Sequence, residues 1–341
     1  MNNIIDTLTR LGTELYHISQ NIDNNKYTTL INKSVAQNKW FTVDSIQISF
    51  QAIAESLQKH KVEQWLKKYD LNSNSKPKTI GVVMAGNIPI VGFHDLLCVL
   101  VSGNNILAKL SSKDKYLYQI IKDIFVNINP VYESKISFTE NILKNIDAII
   151  ATGSDNSARY FEYYFKKYPN IIRHNRNSLA IITGDETQSE LENIADDIFT
   201  YFGLGCRNVS FLLVPESYKF DNLFKAFEKY NFIANHTKYF NNYEYQKAVM
   251  LMNQVKFSDN GFAIIKESDL LNSPIGVVNF KYYKTKDDIN NYIAENKNKI
   301  QCIVSKQKFN FKTYNLGMAQ QPELWDYADD IDTVNFLISL K

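Results

Sequence analysis

Cysteine is scarce in this chain. Three residues in 341, without regular spacing, exclude a disulfide framework and a structural zinc site. Long hydrophobic runs are missing as well: the longest apolar stretch, Ile88 to Leu100, is broken by Pro89, His94 and Asp95 and is too short to span a bilayer. Nor is there an excess of one charge. Lys+Arg number 38 against 36 Asp+Glu, a net charge of +2, so nothing supports a nucleic-acid surface. The opening Met1-Asn2-Asn3-Ile4-Ile5-Asp6 lacks the basic and apolar regions of a secretory signal, and a cytoplasmic, reducing setting is expected. No GxGxxG fingerprint occurs, which leaves an ordinary Rossmann dinucleotide site unsupported. His94 and His174 have no Cys, His or carboxylate partner at metal-ligand spacing, so no metal is expected.

What is present suits a soluble α/β protein of one large or two medium domains. Residues 1 to about 70 read as helical: Ile4, Ile5, Leu8, Leu11, Leu15 and Ile18 recur at helix spacing, as do Ile46, Phe50, Ile53, Ala54 and Leu57. Thr42 or Asp44 is placed to cap the second of these stretches. The polar segment Asn72 to Lys78 marks a boundary. Four short apolar runs come next, 79–85, 105–110, 147–151 and 178–183, separated by helical stretches at 90–102, 114–127, 154–167 and 188–201. Buried strands alternating with helices predict a parallel sheet covered on both faces. Less regular alternation continues beyond Val209, with strands at 209–214, 262–265, 276–280 and 300–304 and helices at 219–230, 242–254 and 286–295.

Ligands of such sheets sit beyond the carboxyl ends of the strands. There the sequence reads Gly86-Asn87-Ile88-Pro89, Lys109-Leu110-Ser111-Ser112-Lys113-Asp114 and Thr152-Gly153-Ser154-Asp155-Asn156. Small residues, amide and hydroxyl donors and a lysine are what a cradle for an anionic ligand requires. Of the three cysteines, Cys98 and Cys302 lie inside apolar runs. Cys206, in Tyr201-Phe202-Gly203-Leu204-Gly205-Cys206-Arg207-Asn208, falls at a helix-to-strand junction behind two glycines that allow close approach to the sulfur. A thiolate there has its own backbone N–H as one oxyanion donor, and the Asn87 amide is the candidate for a second. Each residue also has a plainer reading. A lone cysteine is as often a small core residue, Asn87 suits a turn, Thr152-Gly153-Ser154 is an ordinary helix start, and Lys109 suits a solvated strand end. The preceding helix C-terminus disfavours a thiolate, and Arg207 next door is a candidate to offset it, although adjacent residues need not face each other.

Taken in order, these segments resemble the aldehyde dehydrogenase superfamily and, within it, the fatty-acyl-CoA reductases of bacterial bioluminescence. Gly86-Asn87-Ile88-Pro89 is similar to the Asn-x-Pro segment, and Ser102-Gly103-Asn104 with Lys109-Leu110-Ser111-Ser112 to the Gly-Asn…Lys-Pro-Ser segment. Thr152-Gly153-Ser154 is similar to the Thr-Gly-Ser turn and Gly205-Cys206 to the Gly-x-Cys nucleophile segment. Ile275-Gly276-Val277-Val278 resembles the Gly-Pro-Val strand, and the whole likeness covers about 79–305. The resemblance implies a modified Rossmann cofactor domain (76–202), a smaller α/β catalytic domain (203–315), a helical N-terminal segment (1–75) and a tail (316–341) returning to the cofactor domain or a subunit interface. It implies Cys206 as the acylated nucleophile and Asn87 as oxyanion donor. Lys109 and Ser111 would meet the adenosine ribose or its 2′-phosphate, and Thr152, Gly153 and Ser154 the pyrophosphate of NADPH, with NADH as the alternative.

Departures from the family pattern narrow the chemistry. Arg173-His174-Asn175-Arg176-Asn177-Ser178 stands where oxidising members carry a glutamate that activates water, and Asn272-Ser273-Pro274 where a second glutamate holds the nicotinamide ribose. Without a positioned base, water is a poor attacker of a thioester, which suits an enzyme that holds an acyl group until hydride arrives. Arg173 and Arg176 are read either as phosphate contacts or as a solvated loop. The expected activity is reduction of an acyl-CoA or acyl-carrier thioester to an aldehyde, with an acyl-donating enzyme and further copies of the chain as partners. The rival readings are an acyl-phosphate reductase, a cysteine acyltransferase without redox chemistry, and a non-catalytic interaction protein on the same fold.

Overall fold

Alternation within the strands decides which residues the sheets bury. A computed structural model describes residues 2–71, 76–153 and 155–340, and the polypeptide divides into two units, 1–175 with 322–341, and 176–321. The first unit begins with four helices, α1 (Asn2–Gln20), α2 (Thr28–Gln37), α3 (Val43–Ser56) and α4 (Lys59–Leu66). Thr42, rather than Asp44, caps α3: its side chain accepts the Ser45 N–H while Ser45 accepts the Thr42 N–H. Then come β1 (Thr79–Val83), α5 (Phe93–Val101), β2 (Asn105–Lys109), α6 (Tyr116–Ile128), α7 (Tyr132–Lys135), β3 (Ile136–Thr139), β4 (Ala148–Thr152), α8 (Asp155–Phe165) and β5 (Asn170–Arg173).

These five strands form one parallel sheet in the order β3-β2-β1-β4-β5. Ile80, Val82, Ile106, Ala108 and Ile150 face the large core shared with the N-terminal helices, α5 and α6. Ile149, Ala151, Val83 and Leu107 face the opposite way, against Phe161 and Phe165 of α8. The N-terminal helices therefore share the sheet's own core. The chain runs outward from β1 through β2 to β3, then returns to the other side of β1 as β4. Such a reversal leaves a crevice beyond the carboxyl ends of β1 and β4.

The second unit holds β6 (Asn177–Ile181), α9 (Gln188–Phe199), β7 (Val209–Pro215), α10 (Asp221–Phe227), α11 (Thr237–Met252), β8 (Ser258–Asp259), β9 (Ile264–Glu267), β10 (Val277–Tyr283), α12 (Lys286–Asn296) and β11 (Ile300–Ser305). Its sheet order is β11-β6-β7-β10-β9-β8, parallel except for the β8–β9 pair. Ile289, Tyr292 and Ile293 of α12 pack on Leu179, Ile181, Phe211 and Leu213. A last helix, α13 (Thr333–Ile338), belongs to the first unit.

This division falls between 175 and 176, whereas the sequence reading places a boundary near 202. The run at 178–183 does not extend the first sheet, because β5, a four-residue strand the apolar pattern does not disclose, takes the place beside β4. β6 pairs instead with β7 and β11. Arg173, read as a loop cation, is also reassigned. It is buried, its Nη1 lies 2.5 Å from Asp95 Oδ2, and its Nη2 donates to Thr333 Oγ1 at 3.0 Å. Burial works against its charge, but Asp95 outweighs that and holds the pKa above the usual value. No helix among the described residues is long and apolar enough to cross a membrane.

Candidate functional site

In the first unit the strand ends assemble a cradle with little room for side chains. A Cβ on Gly86 would lie 2.5 Å from Ser111 Oγ, so the loops after β1 and β2 touch at a glycine that nothing larger replaces. A Cβ on Gly153 would meet Ser157 at 2.8 Å and Phe161 at 3.0 Å, so the chain after β4 runs close over the first turn of α8. Lys109 ends β2, level with Val83 of β1 and Thr139 of β3. Asn87 is exposed on the loop after β1. Ser154 lies outside the described residues, and its role stays as the resemblance implies it. Thus Asn87, Lys109, Ser111, Thr152 and Gly153 all stand at the carboxyl edge of one sheet. Their arrangement fits a phosphate-bearing nucleotide at the β1/β4 crevice.

The loop bearing Asn87 is braced on both flanks. Asn38 Nδ2 donates to Gly86 O at 3.3 Å and Ser49 Oγ to Pro89 O at 3.1 Å. Ile90 N–H donates to Asp114 Oδ2 at 2.6 Å and Gly92 N–H to Tyr118 Oη at 2.8 Å.

Cys206 belongs to the second unit and is exposed, whereas Cys98 and Cys302 are buried. Behind α9 the chain reverses through three successive left-handed residues, Tyr201, Phe202 and Gly203, with φ of 54°, 58° and 75°. Glycine suits that conformation; tyrosine and phenylalanine hold it at about 1–3 kcal/mol each. Asn208 fixes the next turn. Its Oδ1 accepts the Gly205 N–H at 2.8 Å, and its Nδ2 lies 3.1, 3.2 and 2.7 Å from the carbonyl oxygens of Asp197, Ile198 and Thr200. The Asn208 N–H donates to Gly205 O at 3.0 Å, closing the turn with Cys206 inside it. Ser178 Oγ donates to Cys206 O at 2.9 Å. The helix-end carbonyls expected to repel a thiolate are therefore engaged by an amide.

Arg207 supplies the positive charge. Its Nε donates to Ala319 O at 2.5 Å, and its guanidinium sits 4.7 Å from the Tyr314 ring centre. Burial opposes ionisation, yet Cys302, Tyr314 and Cys206 together hold its pKa above the usual value. The Ala319 carbonyl is placed in turn by Asp197, whose carboxylate accepts the N–H groups of Gly317 and Ala319 at 2.7 and 2.8 Å. Asn208 and Asp197 were not assigned from the sequence. For Asn208 the signal was present, an Asn closing a turn that begins at glycine; for Asp197 there was none.

Both of these side chains bear on stability. Asn208→Ala leaves the Gly205 N–H and several helix-end carbonyls without partners, and a loss of about 3 kcal/mol is expected in denaturant unfolding. Asn208→Asp keeps the acceptor alone and recovers only part of it. Burial, outweighing the two N–H bonds, pushes the Asp197 carboxyl up to about 7 from an ordinary 3.8. Between these values the folded chain binds the extra proton, so stability contributed here falls as pH rises from about 4 to 7, by up to ~1.4 kcal/mol per pH unit. Asp197→Asn should flatten that part of the stability–pH curve measured by thermal unfolding.

Comparison with known proteins bears on both units. The sequence profile described as acyl-CoA reductase (LuxC) matches residues 1–319. A long-chain acyl-protein thioester reductase of Aliivibrio fischeri is 23% identical over 163 residues, 43% of this chain and 34% of the relative. Long-chain acyl-protein thioester reductase 2 of Photobacterium leiognathi is 20% identical over 191 residues, 50% of this chain and 40% of the relative. The matched segments thus span less than half the length of these curated relatives. Among solved structures, an NAD-dependent aldehyde dehydrogenase of Sinorhizobium meliloti superposes with a TM-score of 0.65 at 12% identity, covering 92% of this chain and 71% of that one. Glyceraldehyde-3-phosphate dehydrogenase GapN of Methanocaldococcus jannaschii, complexed with NADP, gives 0.64 at 13% identity, covering 91% and 76%. The fold is that of the aldehyde dehydrogenases, and the chain belongs to the acyl-CoA reductase (LuxC) family.

Proposed function

We propose that this protein reduces a long-chain acyl thioester to the aldehyde through an acyl group carried on Cys206, with NADPH as reductant. The observation that carries the reading is the exposed Cys206, held in a turn fixed by Asn208 and Ser178 beside the Arg207 charge, in a chain of a thioester-reductase family. The Cys206 sulfur attacks the thioester carbonyl; the donor's thiolate leaves and takes a proton, and the acyl group remains as a thioester on the protein. The family resemblance makes Asn87 the residue that would donate to the carbonyl oxygen while it carries negative charge. A reduced nicotinamide nucleotide, when bound, would supply the hydride that the acyl carbon on Cys206 accepts. Loss of the Cys206 thiolate from the resulting hemithioacetal then frees the aldehyde.

Gly86, Lys109, Ser111, Thr152, Gly153 and Ser154 would hold the nucleotide. The glycines admit the pyrophosphate to the backbone, and Lys109 and Ser111 meet the ribose or its 2′-phosphate. The absence of a carboxylate from 173–178 removes the base that oxidising members place there, which would slow attack of water on the acyl group before reduction. Both acyl-CoA and an acyl-carrier protein are candidate donors; the named relatives favour the protein-borne thioester.

Supplying a long-chain acyl-CoA or acyl-carrier protein with NADPH or NADH, and following nucleotide oxidation together with aldehyde, tests the reading. Equal amounts of both products are expected. No oxidation with any donor, chain length or nucleotide would rule it out. Acyl labelling without nucleotide binding would point to an acyltransferase.

A further inference from the structure

The loop that carries Asn87 contains a conformation the chain does not adopt unaided. Ile90, a β-branched residue, has a φ of +47°, where Cβ meets the backbone; such a residue costs about 1–3 kcal/mol and persists only when its surroundings over-determine it. Three contacts do so: Ser49 on Pro89 O, Asp114 on the Ile90 N–H, and Tyr118 on the Gly92 N–H. Asp114 differs from the other two. It is 1% exposed, its Oδ2 accepts the strained residue's N–H at 2.6 Å, and its Oδ1 has no hydrogen-bond partner among the described residues. An ionised carboxylate so placed would keep one oxygen desolvated and unpaired, the costliest arrangement for that group. A neutral acid avoids burying that charge, with its carbonyl oxygen accepting the Ile90 N–H and its hydroxyl at Oδ1, and burial accordingly pushes the Asp114 carboxyl well above the usual carboxylate range.

We infer that Asp114 is a positioning residue for the reaction: as a neutral hydrogen-bond acceptor it locks the left-handed turn at Ile90 and so sets where the Asn87 amide points. Asn87 and Ile90 are three residues apart on one tight loop, so a relaxed Ile90 re-aims the amide that serves the oxyanion. This rests on the role proposed for Asn87, and the tests are chosen to separate the two.

In the full chain, Asp114→Asn keeps a neutral acceptor and should retain the wild-type kcat. Asp114→Ala removes the acceptor and should lower kcat by up to about 10²-fold, the scale of a misplaced catalytic group, with KM for the thioester unchanged. Combining it with Asn87→Ala should cost no more than Asn87→Ala alone, because both act through one amide. Multiplying losses in the double variant, or an unaltered kcat in Asp114→Ala, would overturn the inference. Should Asp114→Ala fail to fold, Asp114→Val, which also lacks the acceptor, replaces it with the same expectations. Hydrogen exchange at Ile90 and Gly92 decides the structural half even if no thioester is reduced. Exchange should quicken in the variant without an acceptor and stay slow in Asp114→Asn; equal exchange in all three proteins would refute the lock.

Discussion

Replacing Cys206 by serine is expected to lower aldehyde formation by roughly 10⁴-fold or more, the scale on which removal of a nucleophile registers. A thiol is a few per cent ionised at neutral pH and intrinsically reactive, whereas a hydroxyl requires a general base beside it. The charge nearest in sequence to Cys206 is Arg207, whose guanidinium favours an anion but accepts no proton. The side chain is exposed and its turn is held by Asn208 and Ser178, so the thermal midpoint of Cys206→Ser should stay at the wild-type value. Nucleotide affinity should be unchanged as well. A variant that keeps more than a tenth of the wild-type rate would show that the chemistry does not pass through this sulfur.

Asn87→Ala should lower kcat about 10²- to 10³-fold with little change in KM, because an oxyanion donor acts chiefly on the charge that appears in the transition state. The donor is effective only if it is in place beforehand. That is the physical meaning of the bonds from Asn38 and Ser49 to Gly86 and Pro89, and of those from Ile90 and Gly92 to Asp114 and Tyr118. Four flanking anchors leave the amide little reorganisation to perform. The Asn87 side chain is exposed, so truncation should not destabilise the fold, and a rate loss accompanied by a matching loss of stability would contradict the assignment. Asn87→Asp should be at least as slow, since a carboxylate repels the developing oxyanion.

Local periodicity revealed most elements because each buries one face. The helices of 1–70 and the runs at 79, 105, 148, 209, 277 and 300 all read correctly as helix or strand. What stayed hidden was non-local. β3 and β5 are four residues each, too short for a pattern, and without them nothing indicates that β6 leaves the first sheet for the second. Arg173 looked like a loop cation because its partner Asp95 lies 78 residues away. At the site, Cys206 stood out through its glycines and its place between helix and strand, and Gly86 and Gly153 through their positions at strand ends. Asn208, Asp197 and Asp114 did not stand out as supports. The backbone partners of Asn208 and Asp114 are brought near by left-handed turns at Tyr201, Phe202 and Ile90, residue types that local preference places elsewhere, and those of Asp197, Gly317 and Ala319, are remote in sequence.

The central claim is a covalent acyl group on Cys206 that awaits hydride. Peptide mass mapping after incubation with a long-chain acyl-CoA, before and after addition of NADPH, addresses it most directly. The account predicts one acyl group on the peptide containing Cys206, stable in buffer, and its discharge as free aldehyde once NADPH is added. An unmodified Cys206, or an adduct that NADPH leaves untouched, would contradict it.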